Sequence, residues 1–115
     1  MKLKLLVAIG FLLIIASCSK KGTGNNPAPL DCTNVPKSFA ADVNPTIQAF
    51  CNTVGCHNSG STNGPGSITN YNEVFTSRTP IRAAIAAGTM PQSGTLSAAQ
   101  KNSILCWIDS GAPNN

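Results

Sequence analysis

Four cysteines, at positions 32, 51, 56 and 106, constrain this chain more than any other feature. At 115 residues the chain holds one small domain. A domain of that size buries proportionally little surface and commonly needs a cross-link, a metal or a bound group to hold it together. Four cysteines allow three pairings. Two of them stand close together, in Cys51-Asn52-Thr53-Val54-Gly55-Cys56-His57, and the second is followed at once by the chain's only histidine. The other two flank the domain near its two ends.

A fifth cysteine, Cys18, closes a different kind of segment. Lys2 and Lys4 precede an apolar run from Leu5 to Ile15, the charged and apolar regions of an export signal. The run is about half the length a membrane-spanning helix needs. It ends in Ile15-Ala16-Ser17-Cys18, which resembles the lipobox of bacterial lipoproteins. The resemblance implies a signal peptide over 1–17, cleavage before Cys18, and acylation of that thiol. More than one acyl chain gives stable anchoring. Residues 18–31 are rich in Gly, Pro and Asn and read as a flexible lipidated tether; the domain is then 32–115. The expected location is the cell envelope: a lipid anchor in a bacterial membrane, and a domain in the periplasm, where disulfides persist.

Charge narrows the partners. Beyond the leader, Lys20, Lys21, Lys37, Arg78, Arg82 and Lys101 face Asp31, Asp42, Glu73 and Asp109. The excess comes from Lys20 and Lys21 in the tether, so the domain is neutral on paper. Nucleic-acid binding through a basic face is excluded on that count. A doubly wound sheet or a β/α barrel does not fit in so short a chain.

No alternating apolar pattern suggests a strand, and the fold class expected is all-α. Asp42 is a helix cap, with Val43, Ile47 and Phe50 on one face. Residues 58–70 are nearly all turn residues and form a loop. Asn70 caps a short helix carrying Tyr71, Val74 and Phe75. Thr79 and Pro80 open the next helix, with Ile81, Ala84 and Ile85 on one face and Gly88 as its stop. Ser97 and Gln100 make a capping box for the last helix, which carries Ile104, Trp107 and Ile108 and ends at Gly111. Helices are thus expected near 42–51, 71–77, 79–87 and 97–110. Trp107 is expected against the first helix near Phe50, and Arg78 and Arg82 at the surface.

The Cys51–His57 segment leaves several readings open. The usual haem-attachment signature is C-x-x-C-H, two thiols that add to the haem vinyl groups and a histidine that meets the iron. Here the Cys-His adjacency is kept and the loop between the thiols has four residues. Cys51 and Cys56 could instead pair with each other. A structural zinc site would lack its fourth ligand.

Three features together resemble small monohaem c-type cytochrome domains of exported bacterial lipoproteins. These are the apolar helix running into Cys51–His57, Gly88-Thr89-Met90-Pro91 after a second helix, and the closing Trp107-Ile108-Asp109-Ser110-Gly111-Ala112-Pro113. The resemblance implies a small cytochrome c-like helical domain around one covalent haem c. Cys51 and Cys56 would form the thioethers, and His57 and Met90 would be the axial iron ligands. The first and last helices would come together, so that Cys32 and Cys106 form a disulfide. The function implied is that of a membrane-anchored electron carrier serving redox protein partners, with no catalysis of its own. The alternative is a haem-free, disulfide-stabilised lipoprotein binding module.

Overall fold

Pro45 shapes the start of the domain. The computed structural model describes residues 29–115. The signal peptide at 1–17, the acylation site Cys18 and most of the tether at 18–31 lie outside the described residues. The first helix opens at Ser38, four residues ahead of the expected cap. The Ser38 hydroxyl accepts from the Ala41 N–H at 3.3 Å, and the Asp42 carboxylate accepts from the Ser38 N–H at 2.8 Å. A wide π-helical turn over Phe39–Val43 then runs into α1, Asn44–Phe50. The Val43 N–H reaches back five residues, to the Ser38 carbonyl at 3.1 Å. Pro45 has no N–H to offer and crowds the carbonyl four residues back in a tighter helix, so the turn widens just ahead of it. Asp42 therefore supports the cap instead of being it.

The free N–H groups at this helix start are satisfied from the far end of the chain. The Asn115 carbonyl accepts from the Ala40 N–H at 2.8 Å and the Ser38 hydroxyl at 2.9 Å. Its side-chain oxygen accepts from the Phe39 N–H at 2.8 Å. A helix N-terminus otherwise leaves such donors to water.

Helix α2, Tyr71–Thr76, is capped by Asn70, whose side chain accepts from the Glu73 N–H at 3.1 Å. Glu73 in turn accepts from both the N–H and the hydroxyl of Thr69, which hold its carboxyl below the usual range. Helix α3, Arg78–Ala87, follows after Ser77 alone. It starts one residue before Thr79, which leaves Pro80 as its third residue, still among the positions with no intrahelical N–H bond to lose. Gly88 ends it with φ 71°, and the Thr89 N–H closes back on the Ala84 carbonyl at 3.0 Å. Only a left-handed residue allows that reversal at low cost. Helix α4, Ala98–Asp109, carries the reciprocal Ser97–Gln100 capping box. Among the described residues there is no strand.

Helix α4 packs on the start of the first helix and on α3. Trp107 is fully buried. It lies against Phe39, with ring centroids 5.3 Å apart, and edge-on to Tyr71 at 6.5 Å. The expected neighbour, Phe50, is at the other end of that helix: it packs on Gly94 and faces elsewhere. The Trp107 indole N–H donates to the Pro113 carbonyl at 2.9 Å, and the Tyr71 hydroxyl donates to the Ala112 carbonyl, also at 2.9 Å. The aromatic cluster thus fixes the C-terminal segment as well as joining α2, α4 and the first helix. Arg82 pairs with Asp109 across α3 and α4, and both side chains remain substantially exposed. Such a pair contributes about 1 kcal/mol at most. Arg78 lies over the Phe75 ring, 4.0 Å from its centroid.

Cys32 and Cys106 are joined by a disulfide. It ties the segment ahead of the first helix to the middle of α4.

Candidate functional site: an apolar cleft beside the two free thiols

The chain turns sharply at the end of α1. The N–H groups of Cys51 and Asn52 both donate to the Ile47 carbonyl at 2.9 Å. Residues 52–56 make one closed excursion, because the His57 N–H returns to the Cys51 carbonyl at 3.1 Å. Gly55, at φ 82°, provides the left-handed step in that turn. A side chain there would meet no neighbouring atom, so glycine is required by backbone conformation and not by space.

The turn-rich loop over 58–70 is held by side chains. Asn63 donates to the carbonyls of Gly55 and Cys56 at 2.9 and 3.1 Å, and the Ser61 hydroxyl also donates to the Cys56 carbonyl. The Ile68 N–H donates to the His57 carbonyl at 3.0 Å, and Ile68 itself is buried. His57 is buried too, with Nδ1 3.0 Å from the Gly66 carbonyl oxygen. Loop and motif therefore form one connected unit.

That unit closes one side of a cleft of about 510 Å³. Ile47, Phe50 and Cys51 supply the α1 wall, and Pro80, Ile81, Ala84 and Ile85 the α3 wall. Met90, Pro91, Gln92 and Ser93 bound it on one side, and Gly55, Cys56, His57 and Ile68 on the other. The volume lies in the ordinary range for small-molecule sites, and the walls are mostly apolar, as in such sites. All four residues of the expected haem site, Cys51, Cys56, His57 and Met90, are on its lining. Cys32 and Cys106 are not.

The two thiols at the cleft are unbonded. Cys51 is buried, and its pKa is pushed up to about 11 by that burial and by the neighbouring Cys56. Cys56 is half-buried. Thiolate is the reactive form, so at pH 8 only about one Cys51 in a thousand is reactive. Iodoacetamide at pH 8 is therefore expected to label the half-buried Cys56 faster than Cys51, and the Cys51 rate to keep rising toward pH 11. Peptide mapping of a timed labelling series checks this; equal rates would show that Cys51 is not held in an apolar setting.

Among the described residues, no three side chains of the His, Cys, Asp and Glu kinds come together as a group that could hold a metal ion. The reading of the chain as a His/Met-ligated haem electron carrier is not carried forward on that finding, and the same finding removes the zinc alternative. Cys51 and Cys56 do not pair with each other, and the disulfide that forms, Cys32–Cys106, is compatible with a haem-free, cross-linked module.

Ile47, Ile81 and Ile85, which the sequence places on apolar helix faces, are buried, and each also lines the cleft. Phe50, Pro80 and Pro91 were not read as site residues. Their signal is weak: a proline or aromatic at the edge of an apolar face reads the same whether it covers core or lines a cavity. No family model, curated protein or solved structure matches the chain.

Proposed function

We propose that this chain is a haem-free, disulfide-stapled binding module that holds a small apolar ligand in the cleft between α1 and α3. In this reading Cys18 carries lipid, the tether over 18–31 links it to the domain, and the module works at a bacterial cell envelope without catalysis of its own. The observation that carries the reading is the cleft itself: an apolar cavity of ligand size, with its mouth built by a hydrogen-bonded loop and its walls independent of the disulfide. The staple explains how so small a domain keeps an open apolar site. A chain that must leave part of its apolar surface uncovered has less burial to hold it together.

Of the two thiols at the cleft, Cys51 is a poor nucleophile at neutral pH. The test is to fill the cleft. Ala84→Trp on α3 projects a large side chain into it from a half-buried position. The expected result is that the exported wild-type protein retains an apolar small molecule, released on denaturation and identified by mass spectrometry, and that the variant folds with unchanged helicity and retains none. Equal retention by both proteins would overturn the reading.

A further inference from the structure

The cleft has one hydrogen-bonding feature whose direction the structure fixes. His57 Nδ1 lies 3.0 Å from the Gly66 carbonyl oxygen. A carbonyl only accepts, so Nδ1 carries the proton, and in the neutral ring Nε2 is left with a lone pair. Nε2 has no partner among the described residues. No side-chain nitrogen or oxygen is both sealed from solvent and unpartnered there, so Nε2 is reachable although His57 is only 8% exposed. The ring lines the cleft, and its Cε1 edge lies 3.4 Å from the point where a side chain on Gly64 would begin. The ring lines an apolar cleft, and its unpartnered, reachable nitrogen is an acceptor. The other polar side chains on the cleft, Asn63, Gln92 and Ser93, are exposed at its rim.

We infer that the cleft selects ligands that combine an apolar body with one hydrogen-bond donor, a ring N–H or a hydroxyl, which donates to His57 Nε2. The inference rests on the binding-module reading and adds the ligand's polarity to it. A ligand with no donor leaves the acceptor without water and without a partner, which disfavours it. A ligand with a carbonyl or ether at the same place sets two lone pairs against each other. The positioning is rigid, because the Gly66 bond fixes both the tautomer and the ring plane.

Carbazole and dibenzothiophene make a matched test pair: the same tricyclic shape, with and without an N–H. Binding to the full exported chain is measured by equilibrium dialysis at pH 8, with partition into empty detergent micelles subtracted. Carbazole is expected to bind about tenfold more tightly. The chain has a single histidine, so 15N-histidine NMR reads the ring directly: Nδ1 should be protonated, Nε2 unprotonated, and the Nε2 resonance should move on adding carbazole alone. In His57→Phe the preference should vanish, with carbazole and dibenzothiophene binding equally. Equal binding of the two by the wild-type protein, or a protonated Nε2 in the free protein, would overturn the inference while leaving the cleft as a binding site. Binding of neither would overturn the cleft reading, and this inference with it.

Discussion

Replacing Cys32 and Cys106 together by alanine lowers the stability of the domain by about 2–4 kcal/mol. The bond closes a separation of 74 residues, nearly the whole domain, and so removes much of the freedom of the unfolded chain. Native contacts change little: Cys32 lies at the edge of the domain, and alanine at Cys106 removes one buried sulfur from α4. For a domain of this size the melting temperature should fall on the order of 10–25 °C. Thermal unfolding followed by circular dichroism, with and without reductant, measures it. The wild-type protein in reductant should fall by a similar amount. A shift of only a few degrees would mean that the helix packing alone holds the ends together, and that the staple has little to do with keeping the cleft open.

Trp107→Ala removes about 3–5 kcal/mol, as large a fraction of a small domain's stability as any single side chain here can hold. Trp107 is fully buried among Phe39, Tyr71 and the C-terminal segment. Truncation leaves a cavity under Ala112 and Pro113 and loosens the end of the chain from the helix start it caps through Asn115. Trp107→Phe keeps most of the packing but leaves the Pro113 carbonyl without its donor, which costs about 1–2 kcal/mol. Denaturant unfolding of the two variants separates the terms. If both variants lose equally little, the aromatic cluster is not the centre of the core.

The helical class and most helix ends were legible because local chemistry decides them. The Ser97–Gln100 capping box and the stops at Gly88 and Gly111 depend on residues within a turn of one another, and these appear where the sequence puts them. The start of the first helix was misplaced because two cap candidates compete, Ser38 and Asp42, and the choice is settled by Pro45 and by Asn115 from the other end of the chain. Trp107 was assigned the wrong partner for a related reason. Helical periodicity gives the face a residue occupies, but not the height at which one helix crosses another, and that height puts Trp107 beside Phe39. At the site, the sequence singled out Cys51, Cys56, His57 and Met90, which the structure brings to one cleft. What it could not give was the loop's internal wiring. The bonds of Asn63 to Gly55 and Cys56, and of His57 to Gly66, are non-periodic contacts among turn residues, and the last of them sets which imidazole nitrogen carries the proton.

The central claim is that the cleft belongs to a haem-free module whose two cleft thiols are unmodified. The most direct measurement is the absorption spectrum and intact mass of the mature protein purified from its exported pool, before and after alkylation. The account predicts a protein with no visible absorption band, a mass equal to the lipidated polypeptide with one disulfide, and two alkylation sites, Cys51 and Cys56. A visible chromophore that survives denaturation, with a matching mass increment on a peptide containing Cys51 and Cys56 and no thiol left to alkylate, would contradict it.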